Sequence, residues 1–109
     1  MILTTTSQIS GMRIVKTLGL ARGNTIRARH LGKDILAGLR NLAGGEIREY
    51  TKLLAESREQ ALARLVNEAN HLGANAVVGI RFETCLIQNG ASEMLCYGTA
   101  VQVEETQHS

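Results

Sequence analysis

The sequence predicts an α+β protein in the order β-α-α-β-β, with an antiparallel sheet packed on two helices, one of them long. Three observations carry that expectation. Between Glu46 and Leu72 apolar residues recur at Ile47, Tyr50, Leu54, Ala61, Leu65, Ala69 and Leu72, with Leu53, Leu62 and Val66 beside them. That is the period of a helix with one buried face. Gly73 then offers the left-handed conformation that stops a helix. Beyond it, Ala76 to Ile87 and Glu93 to Val103 are rich in strand formers and flank Asn89, Gly90, Ala91 and Ser92, the composition of a hairpin loop.

The elements follow in order. Ile2 to Thr5 reads as a minor edge strand. From Arg13 the chain alternates loosely, with Ile14, Leu18 and Leu20 on one side and Val15, Thr17 and Ala21 on the other, and a bend or turn is expected at Gly23 and Asn24. Gly32, Lys33 and Asp34 open a first helix with Ile35, Leu39 and Leu42 on one face. Asp34 suits its positive end, and Gly44 and Gly45 are expected to stop it before Glu46 starts the long helix. With Asn89 to Ser92 as the loop, Ile80 faces Val101, Phe82 faces Thr99 and Cys85 faces Cys96. In that register Ala76, Val78, Ile80, Phe82 and Leu86 share with Leu95, Tyr97, Thr99, Val101 and Val103 the side that receives the helices. Residues 1–109 read as one domain, frayed over 104–109.

With 44% hydrophobic and 20% charged residues, a chain of 109 residues can bury a core without staples. Its 3% aromatics, with no Trp, make that core aliphatic and argue against a base-stacking platform for nucleic acid. Two cysteines are too few for a disulfide scaffold, and no leader or membrane-length apolar run is visible. The expectation is a soluble, cytoplasmic protein with reduced thiols. The net charge of +2 conceals a division: residues 1–45 hold seven cations against Asp34, whereas residues 46–109 hold nine glutamates against five cations. Such a chain suits an anionic ligand on its first half, or packing of one copy's basic half on the next copy's acidic half.

Lys33 and Asp34 before Ile35 to Arg40, the Gly44-Gly45 pair, Tyr50, the run Gly73 to Gly79 and Gly98-Thr99-Ala100-Val101 together resemble the YbjQ family of small bacterial proteins. The family carries a heavy-metal-binding label and no established activity. The resemblance covers nearly the whole chain. It implies a dodecin-like subunit assembled as a homo-oligomeric ring, a pentamer, and it implies neither a reaction nor metal ligands.

Candidate sites come from the residues themselves. Cys85 and Cys96, facing across the hairpin, are the candidate ligands for a soft ion, Zn²⁺ or Cu(I), although no C-x-x-C or Cys/His spacing completes a site and buried packing is the bland alternative. His30 lies among basic residues, and Glu68 with His71 could share a ligand, but a solvated or capping histidine is the commoner case. Glycines 19 and 23 make no phosphate loop, since no GK[ST] follows. No nucleophile, base and oxyanion set is recognisable. The function expected is that of a non-catalytic, self-assembling binding or scaffold protein. The alternative is a small enzyme with its site at a subunit interface. The remaining sheet face carries Gly79, Arg81 and Glu83 beside Gly98, small residues where a close neighbour is the usual reason. These four, with Arg27 and Arg29, are the expected ligand or subunit interface.

Overall fold

The computed structural model describes residues 1–27, 44–86 and 92–106. Strand β1 (Ile2–Leu3) is followed by β2 (Met12–Arg27), helix α1 (Gly44–His71), β3 (Ala76–Leu86) and β4 (Ser92–Glu105). The sheet order is β1-β3-β4-β2. Pairs β3-β4 and β2-β4 are antiparallel, but β1 runs parallel to β3, so the four-stranded sheet is mixed rather than antiparallel. The expected first helix from Asp34, with Arg29 and His30 before it, lies outside the described residues, as does the loop tip Asn89 to Ala91.

At its C-terminus α1 follows the sequence closely. Gly73 takes a φ of 84°, its N–H bonds to the Asn70 carbonyl at 3.0 Å, and the Ala74 N–H bonds to the Ala69 carbonyl at 3.0 Å. These two bonds satisfy carbonyls that a helix end would otherwise leave open. At the other end, Gly44 and Gly45 are themselves helical and lie in α1, while the first helix they were expected to stop falls outside the described residues. A glycine inside a helix costs about 1 kcal/mol, which a 28-residue helix docked on a sheet absorbs.

Strand β2 runs unbroken through Gly23, where a bend was expected. Its irregularities fall earlier, between Ile14 and Lys16 and between Thr17 and Gly19, with Gly19 at a φ of 118°. Gly23 stays in a regular strand because α1 rests on it: a Cβ there would strike the Ala61 carbonyl and the Leu65 amide, and would stand 2.9 Å from the Arg64 Cβ. The glycine serves close packing, not a turn.

The hairpin register also differs from the expected one. Phe82 opposes Cys96, not Thr99, and Ala76 opposes Val101. Between Val78↔Thr99 and Arg81↔Tyr97, two residues, Gly79 and Ile80, stand against Gly98 alone, and Gly79 has a φ of 64°. This is a β-bulge with glycine in the left-handed position. One inserted residue exchanges the faces of everything after it. Val77 therefore lies on one face with Ile80, Phe82 and Cys96, while Arg81, Glu83 and Cys85 lie on the other.

As a result, α1 packs on the opposite face of β4 from the one expected. Ala61, Leu65 and Ala69 of α1 are buried with Ala21, Val77, Ile80, Met94, Cys96 and Ala100. Small residues on both elements let helix and sheet approach closely, and complete burial of Leu65 contributes about 2 kcal/mol. The buried Thr25 hydroxyl donates to the Ser57 carbonyl at 3.4 Å, aligning the end of β2 with the middle of α1. On the outer face Ile2, Ile9 and Met12 pack over Ala76, Val78, Val101 and Val103, a second core under the N-terminal segment.

Candidate functional site

The outer sheet face beyond that second core is the chemically richest described surface. The Arg81 Nη1 donates to the Thr5 and Ile80 carbonyls, each at 2.9 Å, and so fastens the N-terminal segment to β3. Across from it the Tyr97 hydroxyl donates to Glu83 Oε1 at 3.2 Å. This bond and the Glu83 charge raise the phenol pKa above its usual range, against a smaller lowering by Arg81. On the β2 side the Asn24 Nδ2 donates to Glu93 Oε2 at 3.0 Å. Along β2 the same face also carries the exposed Arg22, with Leu20, 56% exposed, and Ile26, 61% exposed, to either side of it.

The two thiols are not brought together. Cys85 is exposed and opposes Glu93, whereas Cys96 is buried under α1 opposite Gly23 and Phe82. The odd register shift places them on opposite faces of the sheet, so the expected cross-strand pair does not form. Burial raises the Cys96 pKa, offset in part by its contact with the Gly23 backbone. A group whose thiolate is disfavoured is a poor metal ligand. Among the described residues no cluster of three or more His, Cys, Asp or Glu is disposed to hold a metal.

Gly79 forms the bulge described above, and Gly98 is buried against its own chain. A Cβ at Gly98 would come within 2.8 Å of Val77 Cγ1, 2.9 Å of the Val78 carbonyl and 3.0 Å of Ile80 Cγ1. The space beside it is filled from within, not left as a hollow. Arg27 ends β2 with its backbone opposite Ser92, and Arg29 is outside the described residues. His71 is spoken for locally, its Nδ1 lying 2.8 Å from the Asn67 carbonyl within α1. A cavity of about 270 Å³ is lined by Gln8, Ile9, Met12, Arg13, Ile14 and Val103, and its Arg13 is paired with Glu104. None of the expected site residues borders it. Sequence reasoning missed Tyr97 as a polar partner of Glu83, since only the true register brings the two strands' side chains into reach.

A helix laid on one face of a four-stranded mixed sheet, with a partly covered outer face, defines a small α+β class of protein. The chain belongs to the YbjQ family, whose model, described as "Putative heavy-metal-binding", matches residues 1–104. It is 55% identical over 103 residues to a UPF0145 protein of Methanosarcina acetivorans, covering 94% of this chain and 97% of that one. It is 56% identical over 104 residues to the UPF0145 protein DET1617 of Dehalococcoides mccartyi, covering 95% and 100%. A crystal structure of a protein of unknown function from the DUF74 family of Pediococcus pentosaceus matches with a TM-score of 0.64 at 18% identity, over 95% of this chain and 98% of the other. That likeness concerns the fold. No helix among the described residues is long and apolar enough to cross a membrane.

Proposed function

We propose that this protein is a non-catalytic binding or scaffold protein that works as a closed homo-oligomer of a single-domain, dodecin-like subunit, in the cytoplasm. A pentameric ring is the form its family resemblance favours. The observation that supports assembly is shape. A compact domain of this size has a radius of gyration of about 13 Å, whereas this chain has 17.4 Å and extents of 61 × 26 × 16 Å. Among the described residues it is a thin leaf whose sheet carries a helix on one side, and such a leaf gains burial by stacking with copies of itself.

The family's metal description makes a soft ion, Zn²⁺ or Cu(I), the first ligand to test. Cys85 is the thiol that solvent reaches, so a site would combine Cys85 with ligands from neighbouring subunits. Cys96 would join it only if α1 moved away. Arg81, Glu83 and Gly79, with Arg27 and Arg29 from the basic half, are the proposed interface on the same ring. Native mass spectrometry of the purified protein tests both parts at once, reading subunit number and retained species. A monomer at micromolar concentration refutes the assembly.

A second reading, a small enzyme with its site at a subunit interface, draws on the Tyr97–Glu83 pair beside Arg81. A phenol poised against a carboxylate is a proton-transfer arrangement. A substrate whose turnover is abolished by Tyr97→Phe would favour it over the scaffold.

A further inference from the structure

Arg22 of β2 and Arg81 of β3 both stand opposite Tyr97 of β4, so the three residues form one row across the outer sheet face. Ala21 and Gly23 are buried toward α1, which turns the exposed Arg22 outward, and the bulge at Gly79 turns Arg81 to the same side. Two ladder spacings set the arginine backbones about 10 Å apart, within the combined reach of two guanidinium groups. The N-terminal segment borders the row on one side: the Gly79 N–H donates to the Thr6 carbonyl at 2.8 Å and the Ile80 N–H to the Thr4 carbonyl at 3.1 Å.

The charges on this face are partnered unequally. Each carboxylate takes a neutral donor, Glu83 the Tyr97 hydroxyl and Glu93 the Asn24 amide. Neither arginine takes a carboxylate, since among the described residues the one ion pair joins Arg13 to Glu104 at the other end of β2. Glu83 lies two residues from Arg81 on the same strand face, yet Arg81 turns through Nη1 to the Thr5 and Ile80 carbonyls and keeps Nε and Nη2 without a described partner. The Arg22 side chain has no partner among the described residues.

Resting on the binding reading above, we propose that Arg22 and Arg81 clamp a phosphoryl group over Tyr97, which makes the ligand a small phosphate monoester. A carboxylate has two oxygens and is satisfied by one guanidinium fork, whereas a phosphoryl group has three and accepts from two. The half-buried Thr99, two residues along β4 on the same face, adds a hydroxyl donor on the side of the N-terminal segment. The Tyr97–Glu83 bond belongs to the clamp, because a carboxylate held by the phenol does not occupy Arg81.

The test is calorimetric titration of the purified protein with phenyl phosphate, beside benzoate, in a phosphate-free buffer. The wild type binds phenyl phosphate and not benzoate, and Arg22→Gln and Arg81→Gln each weaken binding at least about tenfold, the loss of a charge-assisted hydrogen bond. Arg13→Gln leaves affinity unchanged. Tyr97→Phe weakens binding by releasing Glu83 onto Arg81, and adding Glu83→Gln restores it, a reversal that a packing role for Tyr97 would not show. Arg22→Gln removes no described contact, so it carries the test if Arg81→Gln, which also loses the Thr5 bond, fails to fold. No binding of phenyl phosphate by the wild type at millimolar concentration, or binding unchanged in Arg22→Gln, overturns the clamp. Benzoate bound as tightly as phenyl phosphate overturns the phosphoryl assignment. Subunit number, read by native mass spectrometry, decides assembly separately: a ring that binds no phenyl phosphate loses the clamp alone, and a monomer that binds it loses the ring alone.

Discussion

Gly23 lies directly beneath the backbone of Leu65, so that strand β2 and helix α1 meet where neither has a side chain to spare. Gly23→Ala should therefore unfold the protein more easily, by about 3 kcal/mol, because the added carbon meets helix backbone rather than a flexible side chain. Thermal denaturation checks it. A change within a few tenths of a kcal/mol would mean that α1 does not sit on β2 as described.

Gly98→Val should act on the fold for the same reason. Valine suits a strand, but here its Cβ alone would crowd Val77, the Val78 carbonyl and Ile80. The expected result is a loss of about 2 kcal/mol in denaturant unfolding, visible even where the protein is monomeric. Read from sequence alone, Gly98 belonged to an expected ligand or subunit interface, whereas the atoms that crowd it are the chain's own.

That difference shows what was legible and what was not. The span of α1, its stop at Gly73 and the strands flanking the loop followed from local periodicity and turn residues, which act over a few positions. Register did not, because Gly79 can be an ordinary strand residue or a bulge, and only the tertiary structure decides. From that one residue followed the exchange of faces that sets Cys85 and Cys96 on opposite sides, while the strands were also displaced by four residues before the bulge, Val101 facing Ala76 rather than Ile80. Of the small residues expected to meet a neighbour, Gly98 is crowded by its own neighbouring strand, at Val77, Val78 and Ile80, while nothing lies near Gly79, and the helix instead approaches Gly23, which the sequence marked only as a bend.

Alkali should destabilise the protein through Cys96. A thiol whose pKa is raised in the folded state contributes stability that is fully present below its unfolded value, about 8.5, and is lost as pH rises through that value toward the folded one. Tyr97, also raised, acts in the same direction at higher pH. Melting temperature should fall between pH 8 and pH 10 by these approximate reference values, and less steeply in Cys96→Ala. An equal slope in the two proteins would remove Cys96 as the cause.

Metal titration should separate the two thiols. If Zn²⁺ or Cu(I) binds the reduced protein specifically, Cys85→Ser should weaken it at least about tenfold, the scale of losing a first ligand or its support, while Cys96→Ser leaves affinity unchanged. Isothermal titration beside the double serine variant reads both. Equal loss in the two single variants would require the buried thiol to be a ligand and α1 to open.

Asn75 substitutes for a missing strand residue. Its Nδ2 donates to the Val103 carbonyl at 2.9 Å and its Oδ1 accepts from the Val103 N–H at 2.8 Å, so one side chain completes both backbone groups of a β4 residue. Its own N–H bonds to the Val101 carbonyl at 3.1 Å, and its carbonyl receives the Ile2 N–H at 3.0 Å. Asn75 therefore joins the end of α1 to both β1 and β4. Asn75→Ala removes two hydrogen bonds at about 1 kcal/mol each, and a loss near 2 kcal/mol is expected on unfolding. Asn75→Asp keeps the acceptor for the Val103 N–H but turns a carboxylate oxygen on the Val103 carbonyl, so it should recover little of that loss at neutral pH. It should recover more below the usual Asp pKa of about 3.9, where a protonated oxygen can donate again. If Asp and Asn were equally stable at neutral pH, the side chain would have to hold only the N–H, and the paired geometry at Val103 would be wrong.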